Sequence, residues 1–257
     1  MARIIAFANQ KGGVGKTTTC VNLSAYLAHA GKKVLIVDMD PQGNATSAVG
    51  IIKEPQKTKT VYNVIDGECF AAEVVQKTGI QGLDIIPATV DLAGAELDLV
   101  QINKREHILH GIINELKASY DIITIDCPPS LGLLTVNALT AADGIVIPMT
   151  CEFFALEGVV QLMNTVRLVK KHLNTGLEVD GVVMTMKDNR SNLTGSVASE
   201  IHEYFKSKVF ETAVPRNVRL AEAPSHGIPI SLYDPKSAGG IAYQKLAREL
   251  LSRIKNK

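Results

Sequence analysis

Gln10-Lys11-Gly12-Gly13-Val14-Gly15-Lys16-Thr17-Thr18 is the stretch from which the rest of this chain can be read. An apolar run precedes it, Ile4-Ile5-Ala6-Phe7-Ala8, with the look of a buried strand. Thr17 to Ala30 follows with apolar residues at helical spacing (Val21, Leu23, Leu27, Ala28). Strand, glycine-rich turn and helix in that order make a cradle for phosphate. Without Cβ atoms, Gly12, Gly13 and Gly15 let several backbone N–H groups converge on one anion. The helix beginning near Thr17 adds its free N–H groups and the positive end of its dipole. Lys16 is placed to reach β- and γ-phosphates as a point charge, and the Thr17 hydroxyl to ligate Mg²⁺. The expected nucleotide-binding run is therefore Lys11, Gly12, Gly13, Val14, Gly15, Lys16, Thr17 and Thr18.

One position departs from the standard phosphate-loop pattern G-x-x-x-x-G-K-[ST]: Gln10 stands where glycine is usual, and Lys11 follows it as an additional lysine. Elsewhere Lys11 would be read as a solvated loop lysine.

Two further strands end in acids that belong with the loop. Lys33-Val-Leu-Ile-Val-Asp38 leads into Met39-Asp40-Pro41-Gln42-Gly43-Asn44, and Tyr120-Asp-Ile-Ile-Thr-Ile-Asp126 leads into Cys127-Pro128-Pro129-Ser130. Ligands of open α/β sheets sit at the carboxyl ends of the strands, so Asp38, Asp40 and Asp126 should face the phosphates. Asp126 is the expected holder of Mg²⁺ through water, with Asp38 as a possible member of the metal shell. Asp40, in the loop, is the candidate for polarising an attacking water; its competing reading is an Asx turn before Pro41.

Further strands are expected at 83–87, 144–148, 181–185 and 209–213, with helices at 91–99, 104–117, 152–171 and 240–257. Strands alternating with helices at this period predict an α/β fold: three layers, α/β/α, with a largely parallel twisted sheet flanked by helices. The region 50–80 is the least regular. The C-terminal stripe Ile241, Leu246, Ala247, Leu250, Leu251, Ile254 fits packing on the sheet better than a membrane surface, since its apolar face has neither Trp nor Phe.

The chain's 257 residues, 46% of them hydrophobic, suffice for one large core, and no Pro/Ser-rich linker divides them; one domain over 1–257 is expected. No apolar run reaches the length that spans a bilayer, and no secretion signal is legible at the start. Cys20, Cys69, Cys127 and Cys151 are scattered and read as reduced cysteines of a cytoplasmic protein. The formal charge of +1 hides an asymmetry, net −4 over residues 1–180 and net +5 over 181–257, which permits a polyanionic partner.

Lys11-Gly-Gly-Val-Gly-Lys-Thr-Thr18, Asp38-Met-Asp-Pro-Gln-Gly-Asn44 and Ile125-Asp-Cys-Pro-Pro-Ser130 together resemble the motifs of the deviant Walker A (ParA/MinD) P-loop ATPases, and most closely the ParA/Soj partitioning ATPases. The likeness extends through Pro215-Arg-Asn-Val-Arg-Leu220, Glu222-Ala-Pro-Ser-His-Gly227 and Tyr233-Asp-Pro235, with no separate N-terminal DNA-reading domain. The resemblance implies a Mg²⁺-dependent ATP hydrolase that forms a homodimer around two ATP molecules and moves between ATP and ADP states. Lys11 would cross to the partner's nucleotide, with Gly12 at the dimer seam, Lys11, Lys16 and Asp40 acting in catalysis, and Pro215 and Asn217 beside the adenine. It further implies sequence-independent binding of double-stranded DNA through Arg190 and Arg219, a ParB/Spo0J-like partner that stimulates hydrolysis, nucleoid association and no membrane partner. A MinD-like membrane-cycling regulator shares the nucleotide chemistry and is the alternative. A dimeric reductase similar to the nitrogenase iron protein would need two cluster cysteines per subunit, and the contexts of Cys127 and Cys151 do not match it.

Overall fold

The computed structural model describes residues 2–54, 57–152, 155–187 and 192–255. Seven strands form one sheet: β1 Arg3–Phe7, β2 Val34–Asp38, β3 Gln76–Lys77, β4 Leu83–Ile86, β5 Ile122–Asp126, β6 Gly144–Thr150 and β7 Glu178–Thr185, in the spatial order β3-β4-β2-β5-β1-β6-β7. Every pairing is parallel except β3 with β4.

Apolar side chains emerge on both faces of the central strands, which explains their unbroken hydrophobic runs. Ile4, Ala6, Leu35, Val37, Ile123 and Ile125 enter one core, with Leu109, Ile113, Leu134, Ala138, Leu162 and Val166 from the helices Ile108–Leu116, Leu133–Ala141 and Ala155–His172. Ile5, Phe7, Val34, Ile36 and Val183 enter the opposite core, under Leu23 and Leu27 of the first helix, Lys16–His29, and Leu246 and Leu250 of the C-terminal helix, Ala238–Lys255. The middle of the C-terminal apolar stripe is thus spent on the sheet, with Leu246 and Leu250 wholly buried, while Leu251 and Ile254 are half-buried and Ile241 is exposed.

The structure departs from the sequence reading at 209–213. No strand forms there; Val209 makes an isolated bridge to Val182 and Pro215 one to Lys187. The expectation of an eighth strand rested on apolar Val209, Phe210 and Ala213, but the N–H groups of Glu211 and Thr212 turn to the Glu249 carboxylate at 2.9 and 3.1 Å. A side chain therefore replaces the strand ladder for two residues. β3 also went unread, since it is two polar residues long.

Candidate functional site

Parallel pairing brings the sequence motifs together. Phe7 lies opposite Asp126, and Asp126 opposite Asp38, so β1, β5 and β2 end in one row, and the glycine-rich loop leaves β1 just beyond it. Gly13 and Gly15 have φ of 73° and 80°, backbone that other residues adopt at a cost. Gly15 is the residue before the first helix, which begins at Lys16, so the helix N-terminus opens onto the loop.

Three side chains outside the motif fix the loop. Asn9 accepts from the Lys11 N–H at 3.0 Å and donates to Pro148 O at 2.7 Å. The Thr185 hydroxyl, at the end of β7, lies 2.8 Å from Val14 O and 3.0 Å from Met149 O. Asn22 in the first helix donates to Thr18 O at 2.8 Å and accepts from the Ile230 N–H at the same distance. These residues are 2 to 208 positions from their partners, and nothing local in the sequence marks them.

The acids differ in how they are used. Asp38 is wholly buried and saturated: Oδ1 accepts from the Asp40 N–H at 3.1 Å, and Oδ2 from the Thr46 N–H at 2.9 Å and its hydroxyl at 2.7 Å. Burial raises its pKa to about 6 against those hydrogen bonds. Asp126 is also fully buried, yet neither of its carboxylate oxygens has a well-formed hydrogen bond. Burial first, then the Asp38 charge, holds its pKa well above the usual carboxylate range; the neighbouring Thr17 hydroxyl and Lys16 offset this only in part. Lys16 is buried beside Asp126, Cys127 and Asp40, and its desolvation lowers its pKa. A buried acid with no well-formed hydrogen bond among the described residues, beside a buried lysine, a threonine hydroxyl and a helix N-terminus, fits a hydrated divalent cation carried by phosphates. Asp126 and Thr17 would hold it; Asp38 has little acceptor capacity left.

Asp40 does form an Asx turn, accepting from the Gln42 N–H through Oδ1 at 2.9 Å, while Oδ2 makes no hydrogen bond among the described residues. Both readings of this residue are therefore compatible. Its turn depends on Gly43, whose φ is 60° and where a Cβ would come within 2.5 Å of Ala88 O. Lys11 pairs within its own chain, Nζ to Glu152 Oε2 at 2.9 Å, both side chains well exposed. An exposed pair of this kind is worth about 0–1 kcal/mol and yields readily to a stronger anion. Cys127 is buried, and desolvation pushes its thiol pKa up, so it is a packed core atom.

A cavity of about 330 Å³ continues from Gly15 and Thr18 past Thr185 and Met186 to Val214, Pro215, Asn217, Val218 and Tyr243. Its wall is mostly apolar, the character expected of a base-binding cleft. Met186 reaches it with φ of 51°, unusual for a non-glycine residue and typical of functional edges. The Asn217 side chain caps the short helix Val218–Glu222, accepting from the Arg219 N–H at 2.9 Å. Arg219 is held by Glu222 at 2.9 Å and Asp234 at 3.7 Å. Arg190 lies outside the described residues.

Loop, lysines, paired acids and apolar cleft define a P-loop nucleotide-binding protein of the deviant Walker A kind. The model of the AAA domain family matches residues 2–179. The sporulation initiation inhibitor protein Soj of Bacillus subtilis is 56% identical over 250 residues, covering 97% of this chain and 98% of that protein. The chromosome partitioning protein ParA of Caulobacter vibrioides is 49% identical over 257 residues, 99% and 96% of the two chains. Among solved structures, cobyrinic acid a,c-diamide synthase from Mycobacterium smegmatis, with bound ADP and magnesium, superposes with a TM-score of 0.87 at 36% identity, over 99% and 96% of the chains. The chain belongs to the ParA/Soj family of chromosome-partitioning P-loop ATPases.

Proposed function

We propose that residues 1–257 act as one ATPase unit of DNA segregation: ATP binding pairs two copies, the pair binds DNA without sequence preference, and hydrolysis releases it. The observation that carries this reading is Asp126, a fully buried carboxylate with no well-formed hydrogen bond among the described residues, in line with Phe7 and Asp38 and beside the Thr17 hydroxyl and buried Lys16. That arrangement is costly unless phosphate and a dication complete it. The relatives' names, Soj and chromosome partitioning protein ParA, support the biological setting.

Phosphoryl transfer asks little covalent chemistry of a protein, so positioning and charge carry most of the acceleration. Loop N–H groups from Gly12 to Thr18 cradle the phosphates, and Lys16 adds a positive charge whose attraction for them is stronger in the low-dielectric surroundings than in water. Magnesium, when bound, supplies charge neutralisation at the β- and γ-phosphoryl oxygens. Asp40, with Oδ1 committed to its own turn, presents Oδ2 to orient the attacking water. Lys11 exchanges Glu152 for the triphosphate of the second copy, and Pro215 and Asn217 flank the base. On the DNA side Arg190 and Arg219 contact phosphates; Arg219 must first leave Glu222 and Asp234, so binding should be weak in one copy and reinforced by pairing. A ParB/Spo0J-like protein is the expected stimulator of hydrolysis.

The test is equilibrium DNA binding by wild type and Arg219→Glu, with Mg²⁺ and either ADP or ATP, across a salt series. Binding with ATP alone, steeply salt-dependent and lost in the variant, is expected. Equal binding with ADP, ATP or neither would overturn the proposal.

A further inference from the structure

Pro215 and Asn217 flank Arg216, whose N–H donates to Lys187 O at 3.4 Å, and they follow a segment, 210–214, that the sheet holds only at its ends. At one end the Phe210 N–H donates to Val182 O at 2.9 Å; at the other the Val214 N–H donates to Met184 O at 2.8 Å and the Lys187 N–H to Val214 O at 3.0 Å. Between them the C-terminal helix supplies the missing partners. Glu249 accepts from the Glu211 and Thr212 N–H groups. Arg253, one turn further along, donates through Nη1 to Lys208 O at 3.1 Å and Asp180 O at 3.3 Å, and through Nη2 to Val209 O at 2.8 Å and Glu249 Oε1 at 2.9 Å. Its guanidinium also lies 4.0 Å from the ring centroid of Phe210, which is wholly buried and packs so closely on Gly181 that a Cβ there would collide with the ring.

Two side chains thus take over the ladder bonds of residues 208–212, and the chain they grip enters the cavity at Val214, two residues after Thr212. Both are about four-fifths buried, and each orients the other, so the pair has little freedom to follow other arrangements of the segment. An ordinary eighth strand would have continued straight along β7. The grip of Glu249 on two successive N–H groups lets the chain leave the sheet at Glu211 and rejoin it at Val214, which sets where Pro215 and Asn217 stand.

We propose that Glu249 and Arg253 are positioning residues of the nucleotide site, fixing the base-side wall from the far face of that segment; the inference rests on the nucleotide reading above. Neither residue lines the cavity, and their effect should be confined to the part of the ligand that meets Pro215 and Asn217. The phosphate cradle is pinned separately by Asn9, Asn22 and Thr185. A ligand with phosphates but no base should not sense the pair.

Titration calorimetry of the full chain in Mg²⁺, with ADP and with inorganic pyrophosphate as probes, tests this. If the segment is correctly placed only about a tenth of the time in Glu249→Ala, ADP affinity falls about tenfold while pyrophosphate affinity is unchanged. Glu249→Gln, which keeps one acceptor oxygen, should fall between wild type and Glu249→Ala for ADP, and it decides the matter if the alanine variant does not fold. Equal weakening of both probes would overturn the inference in favour of general loosening, and so would unchanged ADP affinity. Wild type binding pyrophosphate as tightly as ADP would instead refute the base contact itself, a failure of the nucleotide reading visible without any variant.

Discussion

Replacing Gly43 by alanine tests the link between backbone geometry and the loop that carries Asp40. At φ of 60° an alanine costs about 1–2 kcal/mol in conformation alone. Its Cβ would also stand 2.5 Å from Ala88 O and 2.9 Å from the Lys53 Cδ. Lysine can move aside, but Ala88 cannot easily: its N–H donates to the Thr46 hydroxyl at 3.0 Å, and that hydroxyl donates to buried Asp38 at 2.7 Å. Relief therefore strains a buried network, adding about 1–3 kcal/mol of overpacking, for a total of about 3 kcal/mol. Gly67 provides the control. It too has positive φ, 79°, but nothing lies within 4 Å of a Cβ there, so Gly67→Ala should cost only the conformational part, about 1 kcal/mol. Urea unfolding of both variants with ligand absent measures the difference directly. For a chain of this size the melting temperature should fall about 6–12 °C in the first and about 2–4 °C in the second. Because the Gly43 N–H donates to Asp40 O at 2.8 Å, Gly43→Ala should also slow ATP hydrolysis at least about tenfold while ADP still binds. Equal destabilisation of the two variants would refute the collision argument.

Asp126→Asn should leave the ligand-free protein at least as stable as wild type, since it removes a buried like charge from beside Asp38, while abolishing the extra thermal stabilisation that Mg²⁺ adds to ATP; a variant that keeps the magnesium increment would contradict the role given to Asp126. Asp38 gives a pH dependence. Its folded pKa of about 6 lies above its ordinary 3.8, so the folded state binds more protons between the two values and stability is lost as pH rises through them. Relative to Asp38→Asn, wild type in EDTA should lose about 2 kcal/mol between pH 4 and 7 in urea titrations, and a flat difference would contradict the burial argument. Leu246→Ala, at a wholly buried position of the C-terminal helix, should cost about 2–5 kcal/mol by the same assay, and a loss below about 1 kcal/mol would place Leu246 outside the core.

The features legible in the sequence are those whose cause is local. Glycines at 12, 13 and 15, a lysine at the helix start, and apolar strands ending in Asp38 and Asp126 each carry their own signal. Parallel pairing then had only to align the strand ends. Helix Leu133–Ala141 gave no periodic signal because it is enclosed on nearly all sides: Leu134, Thr135, Asn137, Ala138, Leu139, Thr140 and Ala141 are all buried. The cavity wall was visible at Pro215 and Asn217 only through the family likeness, and Met186, Val214 and Tyr243 were missed, because what gathers them is tertiary. The strand expected at 209–213 failed for a similar reason: its partner is a carboxylate 37 residues further on. Arg219 illustrates the opposite limit, since the family likeness alone points it at a phosphate while the structure surrounds it with Glu222 and Asp234.

The segment that Glu249 and Arg253 hold has a consequence for the molecule in a crowded solution. An open parallel sheet has two rims, each a template on which another chain could polymerise. Here one rim is β3, only two residues long and carrying Lys77 in an ion pair with Asp84 at 2.7 Å. The other, β7, is shielded along its second half by residues 209–216, which touch it at intervals and offer no continuous ladder of their own. On the proposed reading, in which two copies pair reversibly through their nucleotide faces, these two guarded rims keep the molecule from the irreversible kind of self-association, strand upon strand, at the edges of its sheet.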